Sequence, residues 1–528
     1  MTLCRPLADP DCAGRVLSLA LVLPEGWQGD AGTARLLDHL AQAPHVRLSA
    51  LAEVSPPPRL GGLLGHWLTA EARLIGAPEA PPTPAFDRLR PDLPVLRPGA
   101  DGPVEDVDVV LDLAGTAIEA WAARARHGIW RLSTSAPAAG LRPALCGAAS
   151  GEVRLMVLDA PGGTWRDLAR VEYDTKFLAT RNQAFQREKA VQLVERELAR
   201  LSLGQPAPAT TSVVMQAPVG GRDLPGYGLR TGGEVARRLT DRLRARAGGR
   251  PGRFCLRIAT GSPLDFDPAS GVEFDAPQGQ FGGQFGGQFG GQYWADPFLI
   301  RHDTGLHAFY EVYDYATDRG HIAVGRIENG VLQPLGPVMQ PGHHLSYPFV
   351  FEHEGQVFMM PESHQAGRLE IWRAVDFPMR WELHATALEG TPVADSVLVR
   401  HDGQWWLFTN ICRDGFGDFC SELHLYQVDG PALTRIEPHP LNPVVIGSRT
   451  ARGGGRVFMQ DGRLYRAAQD NSHGTYGYGL AILEIERLGP SDYRERLVRH
   501  LTPEGLGLIG LHHVDACEGH VIFDVRRR

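Results

Sequence analysis

Five short segments of this 528-residue chain carry reactive side chains at a recurring position. They are Ala295-Asp296-Pro297-Phe298, Ser346-Tyr347-Pro348-Phe349, Ala394-Asp395-Ser396-Val397, Ser448-Arg449-Thr450-Ala451-Arg452 and Leu511-His512-His513-Val514-Asp515. Brought together, Asp296, Tyr347, Asp395, Arg452 and His512 would combine groups that exchange protons with a guanidinium that grips an oxyanion. A purely structural repeat would favour apolar residues at such positions, because burying an unpaired charge is costly. The chemistry therefore depends on an element that gathers five distant segments.

That element is written in the turns. Each segment runs into an acidic residue followed by glycine: Asp303-Thr304-Gly305, Glu354-Gly355, Asp402-Gly403, Asp461-Gly462 and Glu518-Gly519. The turn glycines recur after 50, 48, 59 and 57 residues. Tight hairpins need positive φ, which acidic–Gly turns supply. A hairpin unit at this spacing predicts the blades of a β-propeller, five of them across residues 252–528. The first strand of each propeller blade lines the central channel, so the five segments should converge on one mouth. The acidic turn residues themselves are turn formers and lie outside that site.

Composition narrows the function classes. A net charge of -8 argues against a nucleic-acid partner. No stretch approaches the ~18–20 apolar residues of a membrane span, so no transmembrane segment is expected. Met1 to Gly14 lacks the basic-then-apolar pattern of a signal peptide. Seven cysteines without a CxxC pair fit a cytoplasmic protein and no zinc or disulfide framework. His343-His344 has no partner spacing for a metal. Neither a metal nor another cofactor is expected. Arg526-Arg527-Arg528 reads as a solvated, frayed end.

The first part of the chain has a different texture. Strand-like Val16–Leu23 precedes a helical stretch from Thr33 to Gln42, and strand-like Val107–Leu113 precedes helix-like Ala117 to Arg126. This alternation predicts an α/β domain with a largely parallel sheet over residues 1–205, ending in a charged helical stretch within Glu172 to Leu203. Residues 206–251 read as a linker with an Arg-rich amphipathic helix from Glu234 to Ala247, bounded by Gly232-Gly233 and Gly248-Gly249. Phe254 to Ile258 is expected to complete the last blade. Gln280 to Gly291 is three copies of Gln-Phe-Gly-Gly, which predicts a flexible insertion.

The motifs Ala295-Asp296-Pro297-Phe298, His344-Leu345-Ser346-Tyr347-Pro348-Phe349, Met360-Pro361-Glu362-Ser363, Ala394-Asp395 and Arg466-Ala467-Ala468-Gln469-Asp470 resemble the propeller of glucosamine inositolphosphorylceramide transferases and bacterial relatives. That domain is similar in turn to the five-bladed furanosidases, such as glycoside hydrolase family 43. The second resemblance implies three channel carboxylates: Asp296 as base or nucleophile, Glu362 as acid and Asp395 as the group that tunes the acid, with Glu311 and Asp470 as rivals for the acid. The span Asp108 to Ser135, with Arg126-His127-Gly128-Ile129-Trp130-Arg131-Leu132-Ser133, resembles a formyltransferase N-terminal domain, which implies a Rossmann-like scaffold. Arg131 and Ser133 stand where that family carries its Asn and His, so formyl chemistry is expected to be lost.

The expected function is catalysis at a glycosidic bond. The cations Arg449, Arg452, Arg466, His512 and His513 suit a phosphate-bearing donor. They point to a cytoplasmic glycosyltransferase that takes a sugar donor and a glycan or glycolipid acceptor in polysaccharide or glycolipid synthesis. Trp294 is the expected sugar-stacking platform, with Glu311, Tyr347, Gln469 and Asp470 as further substrate contacts. A furanosidase-type hydrolase and a non-catalytic glycan-binding propeller are the alternatives.

Overall fold

The computed structural model describes residues 14–27, 30–56, 60–75, 80–96, 107–116, 119–136, 138–205, 219–246, 253–276, 291–303 and 305–527. The chain forms two units, one of Met1–Glu234 with Arg413–Asp418 and one of Val235–Cys412 with Phe419–Arg528. Most of the Gln-Phe-Gly-Gly insertion, most of the 206–251 linker around its helix, the Met1–Gly14 start and Arg528 lie outside the described residues.

The first unit is built on a seven-stranded sheet. Its elements are β1 (Leu17–Pro24), α1 (Ala31–Gln42), β2 (Val46–Val54), α2 (Gly62–Ile75), α3 (Pro84–Leu89), β3 (Val95–Leu96), β4 (Val109–Asp112), β5 (Ile129–Leu132), α4 (Leu141–Cys146), β6 (Ser150–Leu158), β7 (Arg166–Asp174) and α5 (Ala179–Ser202). The strand order is β3-β2-β1-β4-β5-β6-β7. The first five pair in parallel and β5, β6 and β7 pair antiparallel, so the sheet is mixed. The run Leu17 to Leu23 is buried throughout, as a central parallel strand requires. The helix expected over Ala117 to Arg126 shrinks to a 3₁₀ segment at Glu119–Ala123 among the described residues. Glu172 belongs to β7, and the long helix starts only at Ala179.

The second helical correction concerns α6, which runs from Leu224 to Arg246. Gly232 and Gly233 lie inside it instead of bounding it. Glycine disfavours helix by about 1 kcal/mol but does not forbid it.

The second unit is a five-bladed propeller. Blade one comprises Gln292–His302, Gly305–Asp314, Arg319–Glu328 and Val331–Met339; blade two, Ser346–His353, Gln356–Glu362, Leu369–Asp376 and Arg380–Ala387. Blade three comprises Val393–His401, Gln404–Ile411, Glu422–Val428 and Ile436–Pro438; blade four, Gly453–Gln460, Arg463–Asp470, Gly479–Leu488 and Tyr493–Leu501. Blade five pairs Val514–Cys517 and His520–Arg527 with Arg253–Thr260 and Val272–Phe274, so a strand from before blade one closes the ring. Arg526 and Arg527 are therefore strand residues, and Arg527 pairs with Glu273 and Asp275. The expected frayed end is corrected for these two.

All five hairpins turn as their sequences demand. Asp303, Glu354, Asp402, Asp461 and Glu518 have φ of 48–51°, and Gly355, Gly403, Gly462 and Gly519 follow with φ of 72–80°. Two consecutive positive φ values match the right-handed twist of the flanking strands. A second backbone feature also repeats. The inner strand bulges between Ala295 and Phe298, Ser346 and Phe349, and Ala394 and Val397. Asp296, Tyr347 and Asp395 occupy the bulges in left-handed conformation, with φ of 51°, 48° and 47°. Such bulges aim a side chain at the expense of ladder bonds.

Candidate active site

The bulges position the site. Asp296, Tyr347 and Asp395 are turned out of the pleat at the same height of three blades, and Arg452 and His512 enter from the other two. A complementary set arises on the second strands. Glu311 lies opposite Ala295, Glu362 opposite Ser346 and Asn410 opposite Ala394. Gln469 bonds through its N–H to the Arg452 carbonyl, and Asp524 through its N–H to the His513 carbonyl. Every blade thus contributes one inner-strand and one second-strand polar position to one pit.

Two buried networks organise it. In the first, Arg452 donates from Nε to Asp395 Oδ2 at 2.7 Å and from Nη2 to Asp395 Oδ1 at 3.3 Å and Glu362 Oε2 at 3.2 Å. Gln469 Nε2 adds a bond to Asp395 Oδ2 at 3.0 Å, and His364 Nδ1 lies 2.8 Å from Glu362 Oε1. In the second, Asp524 Oδ1 lies 2.8 Å from His512 Nδ1 and accepts from the backbone N–H groups of His512 and His513. Its Oδ2 accepts from Asp296 N at 3.1 Å. His512 Nε2 faces Asp296 Oδ1 at 3.6 Å.

Burial and mutual repulsion separate the carboxyls. Burial pushes Asp296 up to about 6, helped by Asp524 and Glu362 and opposed by His512 and Arg452. Burial also raises Glu311 well above the usual carboxylate range, and Asp296 and Glu362 raise it further. Its Oε1 has no hydrogen-bond partner, with His344 Nε2 3.7 Å away. Burial opposes the charge on Glu362 as well, but His364, Arg452 and Asp395 together hold it down at about 2. Burial and the neighbouring Glu362 raise its partner Asp395. The Glu362–Asp395 dyad therefore shares one proton, with the charge on Glu362. Burial opposes charge on His512, yet Asp524 and Asp296 raise its titration, whereas burial takes His513 down to about 3.

This arrangement revises the expected roles. Glu362 is ionised and tied to Arg452 and His364, so it is the wrong carboxyl for proton donation; Glu311 is protonated and unpaired. Tyr347 is fully buried, and its hydroxyl donates to the Gly455 carbonyl at 3.0 Å and accepts from the Gly455 N–H at 2.9 Å. It clamps two blades and is not free for a substrate. Trp294 packs against Tyr310 in the apolar layer with Leu256 and Leu299 and is no sugar platform. Arg466 leaves the mouth for Glu495 and the Thr450 carbonyl on the outer part of blade four. Arg449 approaches Asp470 at 3.5 Å, and Asp470 also bonds His500 at 2.9 Å, apart from the two networks. His513 sits at the axis, edge-on to Phe298 and Tyr347.

Three contributors escaped the sequence reading: Asp524, Tyr476 and Tyr293. Tyr476 is 41% exposed, lies 5.2 Å from the Arg452 guanidinium and meets His512 edge-on at 5.4 Å. Tyr293 stacks on Tyr313 at 4.8 Å. An aromatic face of this kind is what saccharide rings stack against. The signal for the second-strand groups is an offset. Glu362, Asn410 and Gln469 each lie seven residues past the turn glycines Gly355, Gly403 and Gly462.

Asp296, His512 and Asp524 also present three potential ligand atoms within 4.8 Å of one another. Asp524 accepts three backbone N–H bonds and faces the His512 ring, so its lone pairs already orient protein groups. It reads as a carboxylate that holds an imidazole, not as a metal ligand.

Comparison with known proteins places these features in context. Residues 285–504 match the family model described as glucosamine inositolphosphorylceramide transferase 1, N-terminal. Glucosamine inositolphosphorylceramide transferase 1 of Arabidopsis thaliana is 39% identical over 206 residues, covering 38% of this chain and 26% of that protein. The protein of the same name from Oryza sativa subsp. japonica is 36% identical over 239 residues, covering 42% of this chain and 31% of that protein. The chain thus spans about a quarter to a third of the length of the curated relatives it matches. Among solved structures, an alpha-L-arabinofuranosidase from Lactobacillus brevis is similar at 13% identity and TM-score 0.31, over 42% of this chain and 78% of that one. The catalytic domain of a Coprinopsis cinerea alpha-L-arabinofuranosidase is similar at 11% identity and TM-score 0.33, over 51% and 97%.

Proposed function

We propose that the propeller pit acts at a glycosidic bond, as a glycosyltransferase that moves a sugar from an activated donor to a glycolipid or glycan acceptor. The single observation that carries this reading is the separation of buried carboxyls at one mouth: Glu311 protonated and unpaired, Asp296 poised near 6 beside His512. Glycosyl chemistry needs both states at once, an acid to release the leaving oxygen and a base to take the acceptor's proton. In this reading Asp296 accepts the acceptor hydroxyl proton as that oxygen bonds the anomeric carbon. Glu311 gives its proton to the departing oxygen, and Tyr476 and Tyr293 hold the ring. Transfer, as against hydrolysis, is supported by the relatives, which bear transferase names. We also keep a cytoplasmic setting in the proposal, to be checked by fractionation of tagged cells.

A second reading, saccharide recognition without phosphate, is favoured by one observation. Arg452 directs three bonds at Asp395 and Glu362, which leaves its guanidinium committed within the protein. Isothermal titration with sugar nucleotides, sugar phosphates and neutral oligosaccharides separates the two. Binding of phosphorylated donors and turnover abolished by Asp296→Asn support transfer. Indifference to every phosphorylated ligand sinks it.

For the first unit we infer a formyltransferase-like, Rossmann-like scaffold without formyl chemistry. Arg131 Nε bonds Asp112 Oδ2 at 2.7 Å, and its guanidinium faces the Trp165 ring at 4.2 Å. Ser133 Oγ accepts from Arg154 N at 3.0 Å. Both side chains serve the scaffold. Formyl transfer above background by the purified protein would overturn this reading.

A further inference from the structure

The helix α6 is unusual on a chain of net charge -8: Leu224–Arg246 carries six arginines against one glutamate and one aspartate. Its large apolar side chains are not buried. Leu229 is 80% exposed, Val235 42%, Leu239 53% and Leu243 62%. At 3.6 residues per turn these four, with Gly232 and Ala236 between them, fall in a single stripe about 120° wide. The arginines are arranged about that stripe. Arg230, Arg237 and Arg244 project along one flank and Arg238, Arg242 and Arg246 along the other, while Glu234 and Asp241 lie on the pole opposite the leucines. No described helix is long and apolar enough to cross a membrane.

We propose that α6 is an interfacial helix that lays its leucine stripe into an anionic lipid surface. The pattern suits that partner and no ordinary core. A helix meant to pack on protein would bury its stripe; here the stripe stays in water along four turns. Arginines on both flanks can reach lipid phosphates while their stems cover the acyl boundary, and the acids face away from the anionic plane. Charge complementarity then adds to apolar immersion, each basic group near an anionic surface strengthening attachment. The four glycines of the helix lower its intrinsic stability, so an apolar boundary on one side would stabilise it. The inference does not rest on the sugar chemistry of the pit, since it concerns attachment alone.

The test uses the full chain with vesicles free of any glycolipid, so it stays informative whatever the pit does. Sedimentation with phosphatidylcholine vesicles containing phosphatidylglycerol should pull the protein down, with little bound to pure phosphatidylcholine and binding weakened at high salt. The double variant Leu239→Gln/Leu243→Gln should lose at least about tenfold in partition coefficient. Both positions are exposed, so the fold should survive, as circular dichroism will show. Equal binding of wild type and variant, or no binding to anionic vesicles, overturns the proposal. So does a wild-type dimer in solution that the double variant converts to monomer, because the stripe would then belong to a second copy of the chain.

Discussion

Glu311 and Glu362 are both buried carboxyls on second strands, yet their surroundings drive them apart. Glu311 has an unpaired oxygen and four repelling carboxyls, whereas Glu362 is held by Arg452 and His364. Glu311→Gln should therefore lower kcat by about 10²–10⁴-fold on substrates with poor leaving groups and far less on activated ones. Steady-state kinetics on matched substrate pairs checks this, and an equal loss on both would remove Glu311 from the acid role. Asp296 yields a pH prediction. Its carboxyl, raised to about 6 by burial, must be ionised to act as base, so kcat/KM should fall as pH drops through about 6. His512 is the cation that most favours the ionised form. His512→Gln should move that limb toward neutrality, and an unmoved limb would separate His512 from the base. Asp296, Asp395, Arg452 and His512 were legible because the inner-strand motif repeats around them. Tyr347 carries the same motif, but its hydroxyl serves Gly455; a repeat fixes where a residue stands, not which atoms it answers. Asp524 was missed because its strand lacks the seven-residue offset of the other blades, and Trp294 misled because size alone does not expose a ring.

At the level of the element, the bulged inner strand is the device that aims the site. A left-handed aspartate costs of order 1–3 kcal/mol unless its surroundings hold it. Asp296 is held by Asp524 through its N–H, and Asp395 by Arg452 and Gln469 through its side chain. Tyr347 is held by a reciprocal pair of bonds to Gly455, whose own φ of 144° excludes a side chain. A Cβ there would meet the Val514 carbonyl at 2.0 Å. Tyr347→Phe removes both bonds while keeping the ring, leaving a buried N–H and carbonyl unpaired. It should cost about 1–3 kcal/mol in urea denaturation, with saccharide affinity changed only through the placement of neighbours. A variant as stable as wild type would mean that water replaces the hydroxyl. The hairpins were readable because turn chemistry is local. The bulges were not, since a positive φ on Asp or Tyr is imposed by pairing with the next strand.

For the whole propeller, closure depends on strands far apart in the chain meeting at one axis. His520–Arg527 pairs with Arg253–Thr260 over eight residues, which joins the end of the ring to its beginning. At the axis, Arg456 of blade four grips Asp515 of blade five with bonds of 2.8 and 3.0 Å, and it donates to the Leu299 carbonyl of blade one and the Val350 carbonyl of blade two. Asp515 Oδ2 also accepts from Leu299 N at 2.7 Å. One ion pair thus links four blades, and its guanidinium lies over the Phe349 ring at 5.2 Å. Removing one partner leaves the other charge in a site that excludes water, whereas removing both leaves mainly a packing problem. Asp515→Ala should therefore cost about 3–5 kcal/mol, and the pair Arg456→Met/Asp515→Leu should recover much of that loss. Urea denaturation of the four-member cycle measures the coupling directly. Losses that merely add would mean that the axis is held by apolar contacts, and that the ion pair only occupies the space they leave.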